Sequence, residues 1–170
     1  MIRTADIIDE SIVDGEGLRL VIFAQGCAHH CLGCHNPSSL PFEGGFPSDN
    51  EAILEKIRKN PLLDGITFSG GDPFFQVESF ASLAKAIREN IIAFIPDFTI
   101  MAYTGYTLEE LFLDLKHYLP LLEKIDILVD GPYMASRKTH DLPFMGSSNQ
   151  RILDVKKSLL NLTPVEYIPD

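Results

Sequence analysis

The chain has 170 residues, 24 of them acidic and 14 basic, for a formal net charge of −10. That length suits one domain over residues 1–170 with a core needing no staple, and 45% hydrophobic with 22% charged residues excludes disorder. The charge disfavours nucleic acid as a partner, no apolar run approaches the ~18–20 residues that span a bilayer, and residues 1–6 lack a signal-peptide layout.

Along the chain, short β-rich runs alternate with amphipathic stretches. Residues 18–23 form a compact apolar run that reads as a buried strand. A loop rich in Cys and Pro follows, and then Ser48-Asp49-Asn50-Glu51, a capping-box pattern. The helix it opens turns Ile53, Leu54 and Ile57 inward and ends near Asn60-Pro61. Residues 66–68 are a second strand, closed by Ser69-Gly70-Gly71-Asp72-Pro73, and Val77, Phe80, Ala84 and Ile87 mark the inner face of a second helix.

The pattern then recurs. Residues 98–103 read as a third strand, and Thr107 with Glu110 forms another capping box. Leu108, Leu111, Phe112, Leu115 and Leu119 stripe one continuous third helix, which Pro120 is expected to stop. Residues 125–129 are a fourth strand, ended by Asp130-Gly131-Pro132; residues 151–155 and 165–168 are candidates for late strands. Such alternation implies an α/β fold with mostly parallel strands joined by right-handed crossovers. The chain is too short for eight βα units, so an open, partial (βα) barrel of four to six strands is expected. Ligands of such sheets bind beyond the carboxyl ends of the strands, where all the unusual segments fall.

The strongest signal is the loop at 26–37, Gly26-Cys27-Ala28-His29-His30-Cys31-Leu32-Gly33-Cys34-His35-Asn36-Pro37. Three cysteines within eight positions exclude a secreted disulfide framework and point to a reducing cytoplasm. Their histidine and glycine neighbours do not pack as a core. A Cys₃His zinc site, in an interaction module with one histidine as fourth ligand, is one reading. However, zinc sites usually pair C-x₂₋₄-C with a distant second pair, which is missing here. A four-iron cluster accounts better for three thiolates in one loop, with the fourth iron left open for an outside ligand.

C-x3-C-x2-C resembles the signature of the radical S-adenosylmethionine (SAM) enzymes. Its companions, in chain order, are Asp14-Gly15-Glu16-Gly17-Leu18-Arg19, Cys34-His35-Asn36, Ser69-Gly70-Gly71-Asp72-Pro73, Tyr103-Thr104-Gly105-Tyr106, Val129-Asp130-Gly131-Pro132 and Gly146-Ser147-Ser148-Asn149-Gln150-Arg151. The whole set resembles the activating proteins of anaerobic (class III) ribonucleotide reductase and covers nearly the entire chain.

That resemblance implies a barrel of the radical SAM type and a 4Fe–4S cluster on Cys27, Cys31 and Cys34. It further implies reductive cleavage of SAM, and a 5′-deoxyadenosyl radical that generates a glycyl radical on the reductase's large subunit. An electron donor such as flavodoxin or ferredoxin is implied as well. Gly70, Gly71 and Asp72 take the place of the family's SAM-amine motif. Gly33, Cys34, His35, Tyr103 and Asp130 are the other candidate SAM contacts, and no side chain beyond the cluster ligands is expected to be catalytic. Gly33 departs from the wider superfamily, which often has an aromatic there. Alternatives are activation of another glycyl-radical enzyme or a small-molecule reaction such as 7-carboxy-7-deazaguanine synthesis.

Overall fold

The computed structural model describes all 170 residues. Seven strands form one open sheet: β1 (Ile2–Ser11), β2 (Arg19–Ala24), β3 (Phe46–Ser48), β4 (Gly65–Gly70), β5 (Thr99–Tyr103), β6 (Ile127–Asp130) and β7 (Arg151–Asp154). Their order across the sheet is β3-β1-β2-β4-β5-β6-β7. The central four, β2, β4, β5 and β6, run parallel, while β1, β3 and β7 pair antiparallel at the two flanks. The α/β expectation and the open sheet hold, with parallel strands in the core and antiparallel ones added outside it.

Five helices complete the chain: α1 (Asn50–Lys59), α2 (Val77–Ile87), α3 (Leu108–Leu113), α4 (Leu115–Leu122) and α5 (Val155–Asn161). No helix is long and apolar enough to cross a membrane. The N-cap of α1 is Asp49, whose side chain accepts from the Ala52 N–H, one residue beyond the Ser48 that the capping-box pattern favours. Thr107 and Glu110 do form a reciprocal capping box.

The single long helix expected after Thr107 breaks at Asp114, whose backbone (φ −132°, ψ 54°) is not helical. Pro120 is not the stop: it sits inside α4, which gives up one backbone hydrogen bond there because proline has no N–H. Residues 165–168 make only an isolated bridge, Glu166 to Leu153, and not a strand.

Strand alternation divides the sheet into two faces. Ile66, Phe68, Ile100, Ala102 and Leu128 join Phe74, Phe80, Leu83 and Ile87 in the main core beneath the helices. Each large apolar side chain buried in it contributes about 1.5–3 kcal/mol. The other face carries Met101, Ile127 and Val129, packed by Tyr103, Phe144, Met145 and Ile152.

Arg19 is sealed at one end of this second face, 1% exposed. Its guanidinium donates to Thr67 Oγ1 (2.7 Å), Thr99 Oγ1 (3.0 Å) and the carbonyls of Glu16, Ile66 and Thr99, so it ties β2 to β4 and β5. Burial lowers its pKa to about 10. At the other end of the face, the carboxyl ends of the four parallel strands stay open.

Candidate active site

Beyond those strand ends lies a cleft of about 630 Å³. Four separate loops reach it: the cysteine loop after β2, Gly70-Gly71 at the end of β4, Tyr103-Thr104-Gly105 after β5, and Gly131 with residues 133–150 after β6. Cys27, Cys31, Cys34, His35, Gly70, Gly71 and Tyr103 all line it. Three other candidate residues, Gly33, Asp72 and Asp130, do not line it.

Backbone contacts lash the cysteine loop to the strand ends. Gly26 and Cys27 donate to the carbonyls of Ser39 and Leu40 (2.7 and 3.0 Å), so the loop closes on itself. The Gly71 N–H then bonds the Ala24 carbonyl at 2.7 Å, and the Asp72 N–H bonds the Gly26 carbonyl at 3.0 Å. This close approach is what demands glycine at 71, since a Cβ there would lie 2.5 Å from the Gly26 oxygen and 2.8 Å from the Ser39 oxygen. Gly70 is constrained twice over, with φ +94° and the Ala24 nitrogen 2.4 Å from where its Cβ would be. Both glycines thus fit the β4 turn against the cysteine loop while presenting backbone to the cleft.

Asp72 lies behind that wall, 1% exposed. Its Oδ1 accepts from the Phe74 N–H (2.9 Å), and Oδ2 takes the Thr104 hydroxyl (2.9 Å), the Gly105 N–H (2.9 Å) and His29 Nε2 (2.7 Å). With this many donors the carboxylate orders three loops. Asp130, also 1% exposed, caps α3 through the Leu108 N–H (2.8 Å) and pairs with Arg151. These bonds raise the Arg151 pKa further above its ordinary value, Asp130 acting most and Glu109 next.

Residues 131–150 contribute to the cleft wall as a strap bonded to itself. Gln150 Oε1 accepts from the Gly146 and Ser147 N–H groups (2.9 and 3.3 Å), its Nε2 donates to the Gly131 carbonyl (3.1 Å), and Asn149 Nδ2 donates to the Pro132 carbonyl (2.8 Å). The Gly-Ser-Ser-Asn-Gln segment therefore builds this strap. Tyr103 anchors it by donating to the Phe144 carbonyl at 2.8 Å. Tyr133 brings an aromatic ring against His35 (centroids 4.5 Å apart) and beside Gly33, where a Cβ would be 3.7 Å from the Tyr133 ring. Tyr133 was not a sequence candidate; the available signal was an aromatic directly after the Asp130-Gly131-Pro132 turn.

All three cysteines are free thiols, Cys27 buried and the other two half-buried. Burial pushes the Cys27 thiol up to about 11, opposed by a hydrogen bond from the His29 backbone. A metal bound there takes the proton's place. No three His, Cys, Asp or Glu side chains converge as a single metal ion would require. Zinc needs its ligands around one point, whereas thiolates that each bind a separate iron of a cluster do not. Three thiolates on one loop, facing a cleft with glycine backbone opposite, fit a 4Fe–4S cluster with one iron left open.

Comparison with known proteins decides the family. Residues 13–153 match the 4Fe-4S single cluster domain family. The chain is 34% identical over 149 residues to the anaerobic ribonucleoside-triphosphate reductase-activating protein of Haemophilus influenzae, covering 83% of this chain and 90% of that protein. This chain belongs to that activating-protein family. The Escherichia coli K12 member is likewise 34% identical, over 145 residues with 82% and 90% covered. The Enterobacteria phage T4 member is 33% identical over 144 residues, with 82% and 86% covered. As members of the radical SAM activating enzymes, these proteins are iron–sulfur enzymes with SAM as second cofactor.

Proposed function

We propose that this chain activates an anaerobic ribonucleotide reductase, with Cys27, Cys31 and Cys34 as the iron ligands. The observation that carries the reading is the meeting of all three thiols with the Gly70-Gly71 backbone in one cleft at the carboxyl ends of the parallel strands. When bound, the cluster and SAM supply the one-electron cleavage that ends in a glycyl radical on the large subunit of the reductase.

The chain's own residues bind and orient. Cys27, Cys31 and Cys34 would hold the cluster, and the bare backbone of Gly70 and Gly71 in the same cleft would admit a ligand's polar end without side-chain interference. Tyr103 holds the strap at 144, and Tyr133 with His35 supplies an aromatic pair, its rings tilted 49° to each other. Asp72 and Asp130 act from behind, each bracing the loop that faces the ligand. A low-potential carrier of the flavodoxin or ferredoxin class delivers the electron, and the free thiols suit a reducing cytoplasm.

The test is anaerobic reconstitution followed by electron paramagnetic resonance of the reduced protein, with and without SAM. A cluster signal that changes on adding SAM, and a glycyl radical on added reductase, are expected. A colourless protein with stoichiometric zinc and no response to SAM overturns the reading.

A further inference from the structure

The cysteine loop reaches solvent between its second and third thiols. Cys31 and Cys34 are half-buried, and Leu32 between them is 86% exposed. The strap meets the loop at this point, where a Cβ at Gly33 would lie 3.7 Å from the Ala135 Cβ. Met134, Ala135, Ser136, Arg137 and Lys138 are all exposed, so the strap brings a surface of its own to the edge of the loop.

A single helical turn over Ala135–Arg137 fixes that surface. The Arg137 N–H donates to the Met134 carbonyl and the Arg137 carbonyl accepts from the Ser148 N–H, both at 2.9 Å, while Arg137 Nε donates to Ser148 Oγ at 3.0 Å. The guanidinium is thus held in place, yet neither it nor the Lys138 ammonium pairs with a carboxylate. The bases of α1, by contrast, each have an acidic partner: Lys56 with Asp9, Arg58 with Glu51 and Lys59 with Glu55.

The charge here departs from that of the whole chain. Acids number 24 in 170 residues, but residues 26–42 and 131–140 contain none; the acids that bound them are Glu43, Asp141 and Asp130, the last buried against Arg151. An apolar pair, Leu32 with Met134 (41% exposed), therefore adjoins two unpaired cations beside the thiols. Leu32, Met134 and Arg137 lie outside the cleft wall, and Lys138 belongs to it. A protein that must place its own glycine in the cleft needs the mouth, whereas a carrier of electrons needs only the outer side of the loop. The net charge of −10 repels an acidic carrier as a whole, so a local cationic face decides where one lands.

We propose that Leu32, Met134, Arg137 and Lys138 form the docking surface for an acidic one-electron carrier protein of the flavodoxin class. The inference rests on the reading that Cys27, Cys31 and Cys34 hold the cluster. The carrier is oxidised by one electron and the cluster reduced by it, with no bond made or broken. Opposite charges steer such an encounter and speed it by about 10- to 1,000-fold at low salt.

The experiment mixes anaerobically reconstituted protein with excess flavodoxin hydroquinone and follows the reduced cluster by freeze-quench electron paramagnetic resonance. Rate constants are taken over the clusters that dithionite reduces in the same sample, so partial cluster loss cancels. Arg137→Glu with Lys138→Glu should slow reduction at least about tenfold in low salt, and raising the salt should bring wild type down toward the variant by screening. Arg137→Lys with Lys138→Arg keeps both charges and keeps the rate. Lys116→Glu with Lys156→Glu makes the same change in net charge on α4 and α5 and leaves the rate near wild type. Where charge reversal assembles too little cluster, Arg137→Gln with Lys138→Gln replaces it, with a smaller fall.

A charge-reversed protein reduced as fast as wild type overturns the inference, and so does an equal fall in the Lys116 and Lys156 variant. Retention of the flavodoxin rate with loss of binding to added reductase assigns the patch to the reductase and overturns it too. A wild-type protein that holds no four-iron cluster defeats the functional reading instead.

Discussion

Arg151, the first residue of β7, grips Asp130, the last residue of β6, and pairs its remaining guanidinium edge with Glu109 of α3. Nε lies 3.0 Å from Asp130 Oδ1, Nη2 reaches Asp130 Oδ2, and Glu109 receives bonds of 3.0 and 2.7 Å. One side chain therefore closes the antiparallel flank of the sheet onto the helix that begins behind the cleft. Arg151→Ala leaves the buried Asp130 carboxylate with only the Leu108 N–H. The expected loss is about 2–3 kcal/mol, because a buried charge is left without its partner. For a domain of this size that lowers the melting temperature by roughly 4–12 °C. Adding Asp130→Asn to Arg151→Ala removes the stranded charge and recovers part of the loss in the same thermal scan.

Acid should release the outer half of this clamp. The hydrogen bond from Arg151 is the largest influence on Glu109 and holds its carboxyl below the usual carboxylate value. A lowered folded pKa means stability that is present above the unfolded carboxylate pKa and lost as pH falls through the folded one. Glu109 is more than half exposed, so the effect is small and screened by salt. Urea midpoints of wild type and Glu109→Gln should differ near neutral pH and converge at strongly acidic pH. A difference that persists in acid would place the contribution in packing and not in the ion pair.

Much of this arrangement is legible in the sequence, and the exceptions have physical reasons. The parallel strands announce themselves because strands covered on both faces are continuously apolar, as in residues 20–23. β1 escapes notice because a flanking strand with Asp6, Asp9 and Glu10 turned outward reads as polar chain. The break at Asp114 is hidden by an apolar stripe that runs on through α4, so Pro120 looks like the obvious stop. Within the candidate site, motif order points to the loops that meet at the cleft but not to which side chains line it. Asp72 and Asp130 have the polarity of ligand contacts, yet most of their partners come from elements 21–43 residues away in sequence, where spacing gives no guidance. Tyr133 and the strap are missed because their register depends on amide-to-backbone bonds from Asn149 and Gln150.

Gly71 tests how tightly the β4 turn and the cysteine loop are fitted. In Gly71→Ala the new methyl meets two backbone oxygens, at 2.5 and 2.8 Å, which cannot swing aside as a side chain would. The expected cost is about 1–3 kcal/mol, the range for overpacking a fitted site. Cluster retention should fall with it, as the cysteine loop is pushed off the strand ends. Gly33→Asn is the contrasting substitution. Its φ of +75° is one that Asn tolerates, and nothing lies within 3.7 Å of a Cβ there, so the unfolding free energy from urea titration should stay within about 1 kcal/mol of wild type. Equal losses in both variants would mean that the close approach at Gly71 carries no special strain.

Cys31 offers the cleanest separation of fold from chemistry. Cys27 is only 7% exposed and contributes to packing, so its removal disturbs structure and ligation together. Cys31 is half-buried on the cleft wall, and its carbonyl still accepts from the Cys34 N–H at 3.2 Å whatever side chain it bears. Cys31→Ala should therefore keep the wild-type far-ultraviolet circular dichroism and melting temperature of the cluster-free protein. After anaerobic reconstitution it should hold far less iron and sulfide, form no 5′-deoxyadenosine from SAM, and leave added reductase without a glycyl radical. A Cys31→Ala protein that still carries four irons per chain and turns over SAM at the wild-type rate would remove Cys31 from the ligand set.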